Sequence, residues 1–217
     1  MSEIWRRRQL GLEFALLFVA APVVMAVALP PTAIFAGLFA MTSVGLVLLI
    51  FTPEFHWSEL LAGARQISRG FVTLFAALTA AASFAVVWMT HPDALFGILR
   101  SNPGLMVMIA ILYPLVSALP QELVYRPLFF RRYATILPRG LWPNILLNAV
   151  LFSFAHLMYW SWIVAAMTFF GGIGFAYAYR ARRNFPEALL LHALSGVIVF
   201  AFGLGVYFYS GNVTRPF

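Results

Sequence analysis

The sequence has no cysteine, no lysine and few charged residues of either sign. The absence of cysteine among its 217 residues excludes disulfides, zinc–thiolate sites and thiol catalysis. Charged residues make up 10% and hydrophobic residues 63% of the chain, whereas a soluble domain has roughly 25% and 45–50%. That balance excludes a disordered chain and an ordinary soluble globule. The composition therefore favours a protein whose solvent is lipid.

Long apolar runs are what the sequence has instead. A helix needs about 20 mostly apolar residues to cross a bilayer, and its backbone groups must be satisfied within the helix. We predict an all-α fold, a polytopic membrane helical bundle of about seven transmembrane helices, in one integral membrane domain over residues 1–217. The predicted spans are Gly11–Leu29, Thr32–Phe51, Gly70–Met89, Gly104–Leu119, Leu141–Tyr159, Trp160–Tyr179 and Ala188–Tyr209.

The arginines alternate between the two sides of the predicted bundle. Twelve of the 14 precede the first span or follow an even-numbered span, and only Arg100 and Arg215 fall on the other side. Because cytoplasmic loops are rich in arginine, this predicts a cytoplasmic N-terminus and an outside C-terminus, a pattern that suits a bacterial inner (plasma) membrane. The placement explains the formal charge of +7. We therefore expect membrane lipid, and no nucleic acid, as a partner.

The first span has a second interpretation. Arg6–Arg8, an apolar run and the Ala26–Ala28 segment resemble a cleavable signal peptide, although the run exceeds the usual length of about 7–15 residues. Cleavage would leave six spans with the same orientation, so the topology is compatible with both interpretations.

Ionisable groups fall inside three of the predicted spans or at their ends. They are Glu122 with Arg126, His156 and His192. Such groups are costly in a bilayer and by default mark a functional site. Glu122 and Arg126 are four residues apart, so they share a helix face and can pair. We predict a polar cavity in the bundle, and the spacing alone leaves open a hydrolytic site, a proton pathway or a substrate gate.

Three motifs follow one another at these groups. Residues 118–126 read ALPQELVYR, residues 152–156 read FSFAH and residues 192–196 read HALSG. In this order they resemble the motifs Glu-Glu-x-x-x-Arg, Phe-x-x-x-His and His-x-x-x-Asn/Asp of the CPBP intramembrane proteases, which are the CAAX prenyl endopeptidase and bacteriocin-processing, or Abi, family. The resemblance covers a core of about residues 104–209.

The resemblance implies an intramembrane endopeptidase that hydrolyses membrane-associated or prenylated peptide substrates at a polar cavity near the cytoplasmic side. In that interpretation Glu122 and His156 activate a water molecule. His192, with Ser195 or Gln121, binds the oxyanion. A divalent metal such as zinc is left open, with Glu122, His156 and His192 as its ligands, because three such ligands plus water suit catalytic zinc.

Two positions depart from the family pattern. Gln121 stands where the family has the glutamate proposed as its base, and an amide cannot accept a proton near neutral pH. Gly196 replaces the third-motif asparagine and has no side-chain donor. One alternative is therefore a non-catalytic member of the same fold, acting as a membrane partner-binding, bacteriocin-immunity or chaperone protein. A proton-coupled transporter or channel is a further alternative.

The sequence also leaves the effect of Gln121→Glu open. If the activity was lost with that position, a glutamate there should raise hydrolysis. If Glu122 has taken over as the base, a second carboxylate beside it should lower hydrolysis. The Glu122–Arg126 spacing and the two retained histidines favour the second outcome.

The position of His156 sets a condition on the fifth span. A straight helix from Leu141 would place His156 ~22 Å along the helix axis. His156 then meets the other motif residues only if this span begins outside the bilayer, tilts or bends.

Overall fold

Seven apolar helices dominate the part of the chain that the structure describes. A computed structural model describes residues 3–215, which are mostly helical (81%) and contain no strand. The predicted all-α fold is confirmed. The helices are α1 (Ile4–Val27), α2 (Ile34–Ile50), α3 (Arg69–Thr90), α4 (Pro103–Arg132), α5 (Leu141–Phe154), α6 (Trp162–Arg180) and α7 (Phe185–Ala201).

Five of the seven predicted spans correspond to helical stretches long and apolar enough to cross a membrane. These are α1, α3, α4, α6 and the stretch Leu141–Tyr159, which contains α5. The other two, α2 and α7, have 17 residues each. At 1.5 Å per residue that is about 26 Å, slightly less than the ~30 Å hydrocarbon core of a bilayer.

The outer surface of the bundle is apolar. Leu74 of α3 is 59% exposed, Ile111 of α4 61% and Trp162 of α6 78%. Large apolar side chains at this exposure on several helices need an apolar solvent. The architecture is that of a helical membrane bundle.

Helix α4 extends further than the sequence predicts. The predicted fourth span ends at Leu119, but the helix continues through the first motif to Arg132. Wide π-helical turns occupy Pro114–Ala118 and Val124–Arg132. Pro114 and Pro127 lack the backbone N–H of a regular helix, which accounts for the loosened hydrogen-bond ladder. The first motif therefore lies within a helix and not at its end.

Helix α7 is shorter than predicted. The predicted seventh span runs to Tyr209, whereas the helix ends at Ala201. Gly203 has φ 99°, in the left-handed region that favours glycine. A Cβ atom at Gly203 would lie 2.1 Å from the carbonyl oxygen of Ala94. This close approach of two backbones ends the helix.

The core is an aromatic cluster around the second half of α4. The Phe18 ring lies 5.4 Å from the Tyr125 ring and 5.3 Å from the Phe129 ring, both edge-on. Tyr125 in turn meets Phe152 of α5 at 5.2 Å, and Phe152 meets Phe175 of α6 at 6.0 Å. Edge-to-face contacts of this kind add to the gain from burial. They fix α4, α5 and α6 against one another, while α7 packs on α3, α4 and α6.

The arginine-rich end of α4 is tied to other segments by ion pairs. Arg132 binds Glu13 of α1, and Arg131 binds Glu59 in the connection between α2 and α3. The hydrogen bond from Arg131 holds the pKa of the Glu59 carboxyl below its usual range. These pairs anchor the end of the helix that carries the first motif.

Candidate active site

A buried ion pair lies at the centre of the first motif. Arg126 Nε donates to Glu122 Oε2 at 2.9 Å, and Arg126 Nη2 donates to Glu122 Oε1 at 3.1 Å. Both side chains are 0% exposed. The predicted pairing of these two residues is confirmed. A bidentate pair of this kind is among the stronger interactions available to a buried carboxylate.

The arginine has partners that the sequence reasoning missed. Its Nη1 donates to the side-chain oxygen of Asn148, which is itself fully buried. Asn148 Nδ2 donates to the carbonyl oxygen of Tyr125 at 2.7 Å. The guanidinium also lies over the Phe152 ring, 5.2 Å from its centroid. Asn148 is not ionisable, so the sequence reasoning did not single it out. An amide side chain within a predicted span nevertheless indicates a buried hydrogen-bonding partner.

His192 joins the same network from α7. Its Nδ1 lies 3.0 Å from Glu122 Oε1, and its Nε2 lies 3.3 Å from the hydroxyl of Tyr113. The ring stacks on Phe175 at 4.8 Å with an interplanar angle of 11°. Because a carboxylate paired with arginine only accepts hydrogen bonds, Nδ1 must carry the proton. The tautomer of His192 is therefore set by Glu122.

His156 does not join this network. It lies in the turn that follows α5, which ends at Phe154. Its Nδ1 lies 2.7 Å from the carbonyl oxygen of Phe152. Since a carbonyl only accepts, Nδ1 carries the proton here too, and a neutral ring leaves Nε2 as an acceptor.

The two other predicted site residues make local hydrogen bonds. Gln121 Nε2 donates to Ser117 Oγ at 3.1 Å, and Ser195 Oγ donates to the carbonyl oxygen of Leu191 at 2.7 Å. An amide NH₂ group has two donors, so Gln121 retains one. A hydroxyl has only one, and that of Ser195 is engaged.

A cavity of about 580 Å³ brings most of these groups together. The predicted site residues that line it are Gln121, His156, His192 and Ser195. Tyr113 and Ser117 add two hydroxyl groups to a wall that is otherwise mostly apolar. Glu122 and Arg126 are not among its lining residues. A smaller adjoining space of about 60 Å³ also touches Gln121 and His156.

The predicted metal ligands do not form a metal site. Both oxygens of Glu122 bind Arg126, and one of them also meets His192 Nδ1. The protonated Nδ1 of His192 is therefore turned toward the carboxylate, and His156 lies apart from the pair. Within residues 3–215 no group of three histidine or acidic side chains is placed to hold a metal ion. The residues present do not fit the zinc site that the resemblance left open.

The fold and the site define a class of protein: a helical membrane bundle with an internal polar network beside an apolar cavity. Residues 101–198 match the family model Rce1-like, described as type II CAAX prenyl endopeptidase Rce1-like. This range contains all three motifs, so the resemblance predicted from them is confirmed. The match supports a CAAX-protease-like fold for this part of the chain, and the enzymes of the matching family are of the protease type. Searches of curated proteins and of solved structures gave no match.

Proposed function

We propose that the protein is an intramembrane endopeptidase that hydrolyses peptide bonds of membrane-associated or prenylated peptides. The observation that carries the proposal is the cavity lined by both motif histidines, within the stretch that matches the CAAX endopeptidase family. Its volume of about 580 Å³ lies within the usual range of ligand sites. The mostly apolar wall suits a lipid-like or apolar peptide segment.

His156 is the best-placed group to activate a water molecule. Its Nδ1–H is held by the carbonyl oxygen of Phe152, so Nε2 is the atom left to accept a proton. General-base assistance of this kind is typically worth about 10²–10⁴-fold in rate. The product amine takes a proton as the peptide C–N bond breaks, and the protonated imidazole can supply it.

Glu122 has a different role in this geometry from the one that the resemblance implies. Its pairing with His156 in water activation stays a prediction, since the carboxylate is buried and engaged by Arg126 and His192. The contacts favour Glu122 as a positioning residue that acts through His192. Arg126 in turn holds the Glu122 carboxylate in place through two hydrogen bonds.

The oxyanion needs donors that face the cavity. Gln121 has one free amide N–H and lines the cavity. The hydroxyl of Ser195 already donates to its own helix, so Gln121 is favoured over Ser195. His192 lines the same wall, and its part in oxyanion binding stays a prediction, since its Nδ1 already donates to Glu122.

The test is a cleavage assay on purified protein in lipid nanodiscs, with fluorogenic peptides of one sequence with and without a prenyl group. We expect cleavage by the wild type and a loss of about 10²–10⁴-fold in kcat for His156→Ala. His91→Ala is the matched control, because His91 is an exposed histidine that does not line the cavity. Wild-type rates in both His156→Ala and Glu122→Gln would contradict the proposal. Activity lost to a chelator and restored by zinc would reinstate the metal interpretation.

One observation favours a second candidate function. The cavity has an amide at Gln121 where the family has a carboxylate, and the nearest carboxylate, Glu122, is fully engaged in a buried network. A protein of this fold that binds membrane peptides or partners without cleaving them needs the cavity but no free carboxylate in it. Saturable binding of the prenylated peptide to the wild type, with no cleavage product by mass spectrometry, would support this candidate over the enzyme.

A further inference from the structure

The space beside Gly196 is filled from another helix. A Cβ atom built on Gly196 would lie 2.0 Å from Cε1, 2.2 Å from Cζ and 2.6 Å from the hydroxyl oxygen of Tyr113. These distances are far below any real contact, and the ring is too rigid to give way. The Tyr113 ring therefore occupies the volume that a third-motif side chain at position 196 would need.

Tyr113 also contacts His192, the histidine of the third motif. It lies on α4, lines the cavity, and places its hydroxyl 3.3 Å from His192 Nε2. Because His192 Nδ1 carries a proton for Glu122, Nε2 of the neutral ring is an acceptor and the tyrosine hydroxyl is the donor. This hydrogen bond is long for a hydroxyl donor, so the hydroxyl loses little when it turns from His192 to another acceptor.

We propose that Tyr113 of α4 supplies the hydrogen-bond donor that Gly196 of α7 lacks. The tyrosine thereby takes the place of the asparagine side chain of the third motif; this replacement is called the exchange below. With the cavity empty its hydroxyl donates to His192 Nε2. With a peptide bound, the hydroxyl turns about its C–O bond and donates to the scissile carbonyl oxygen as negative charge develops there. An anionic oxygen is a stronger acceptor than a neutral imidazole. Tyr113 keeps its proton throughout and forms no covalent bond.

The catalytic part of this inference rests on the proposed function, and the exchange between Tyr113 and Gly196 does not. In the cleavage assay, Tyr113→Phe keeps the ring and removes the hydroxyl. We expect kcat to fall by about 10²–10³-fold, the usual cost of one oxyanion donor, with little change in KM. Tyr177→Phe removes a hydroxyl from α6 outside the cavity and should leave kcat unchanged. An unchanged kcat in Tyr113→Phe would overturn the donor role.

The exchange is tested by moving the donor back. Gly196→Asn alone should lower the melting temperature, because the new side chain collides with the Tyr113 ring. Tyr113→Ala with Gly196→Asn removes the collision. We expect the double variant to melt above Gly196→Asn and to cleave faster than Tyr113→Ala. A double variant no more stable than Gly196→Asn would overturn the exchange.

A spectroscopic measurement separates this inference from the proposed function. The imidazole ¹⁵N resonances of His192, assigned by their loss in His192→Gln, should shift at Nε2 in Tyr113→Phe and stay in place in Tyr177→Phe. An unmoved Nε2 resonance would overturn the Tyr113–His192 hydrogen bond whether or not the protein cleaves peptides. If the wild type cleaves nothing, the proposed function fails, and this shift together with the melting series still decides whether Tyr113 bonds to His192 and fills the space beside Gly196.

Discussion

Two adjacent residues of the first motif face different surroundings. Gln121 lines the cavity and bonds to Ser117, whereas Glu122 is 0% exposed and bound to Arg126 and His192. Neighbours on a helix point about 100° apart, so one turn can present one residue to a cavity and bury the next. The cavity face of this motif is the one that departs from the family pattern. The buried face keeps every group that its network requires.

The largest effect is expected on the buried face. Arg126→Met removes one member of a fully buried ion pair and leaves the Glu122 carboxylate without its bidentate partner. Breaking such a pair costs roughly 3–5 kcal/mol. We expect a large loss of unfolding free energy, or no folded protein at all, measured by thermal denaturation in nanodiscs.

The matched control is an exposed pair on the same helix. Arg131→Met breaks the bond to Glu59, in which the arginine side chain is 47% exposed, and exposed pairs are worth about 0–1 kcal/mol. The two variants should therefore differ several-fold in their cost. Equal costs would mean that the Glu122–Arg126 pair is not the structural element described above.

The second effect concerns the cavity face. Gln121→Glu places a carboxylate on the wall of the cavity that His156 also lines. We expect hydrolysis to rise, by up to the ~10²–10⁴-fold typical of general-base assistance, and melting to change little. The structure thus reverses the sign that the sequence favoured, because Glu122 is engaged by Arg126 and His192 and is not free to assist His156 as a base.

The control for this substitution is Gln121→Ala, which removes the amide without supplying a base. It should be no faster than the wild type. A fall in activity with Gln121→Glu, at unchanged stability, would show instead that Glu122 acts as a base together with His156 and that the two faces share one function.

The smallest effect lies outside the bundle, at Glu59. Its pKa is lowered chiefly by the Arg131 hydrogen bond from a usual value of 4.5. A carboxyl with a lowered pKa in the folded state stabilises the protein above its unfolded pKa, and this is lost as the pH falls through the folded pKa. At pH 7 we expect Glu59→Gln to cost less than about 1 kcal/mol.

That difference between wild type and Glu59→Gln should close as the pH drops well below 4.5, the usual value for this carboxyl. Denaturation curves at several pH values measure it. Asp93→Asn, an exposed acid in the connection between α3 and α4, controls for acid effects in general. A difference that persists at low pH would show that packing, and not charge, stabilises this contact.

Much of the fold was predictable because hydropathy acts locally. All seven predicted spans correspond to apolar helices, since long apolar runs in lipid have few alternatives to a helix. Helix ends were less predictable. The start of α6 follows a local signal, the Ser161 cap that accepts from Val164 N, but the end of α7 depends on the approach of Gly203 to Ala94 from a distant segment.

The candidate site was likewise predictable only where local sequence determines the contact. The i,i+4 spacing of Glu122 and Arg126 predicted their pair, because helical geometry alone brings them together. Their engagement with Asn148 and His192 depends on where α5 and α7 pack against α4. Nothing in the spacing shows which of Gln121 and Glu122 faces the cavity.

The sequence by itself determined that the chain is a helical membrane protein and that three motifs carry its polar groups, because composition and residue spacing are properties of the chain. Only the tertiary structure decided which groups share a cavity. The clearest case is Tyr113, whose hydroxyl meets His192 across 79 residues of sequence and whose ring fills the space beside Gly196. The glycine in the sequence shows only that position 196 has no side chain. Which ring fills that space depends on how another helix packs against α7.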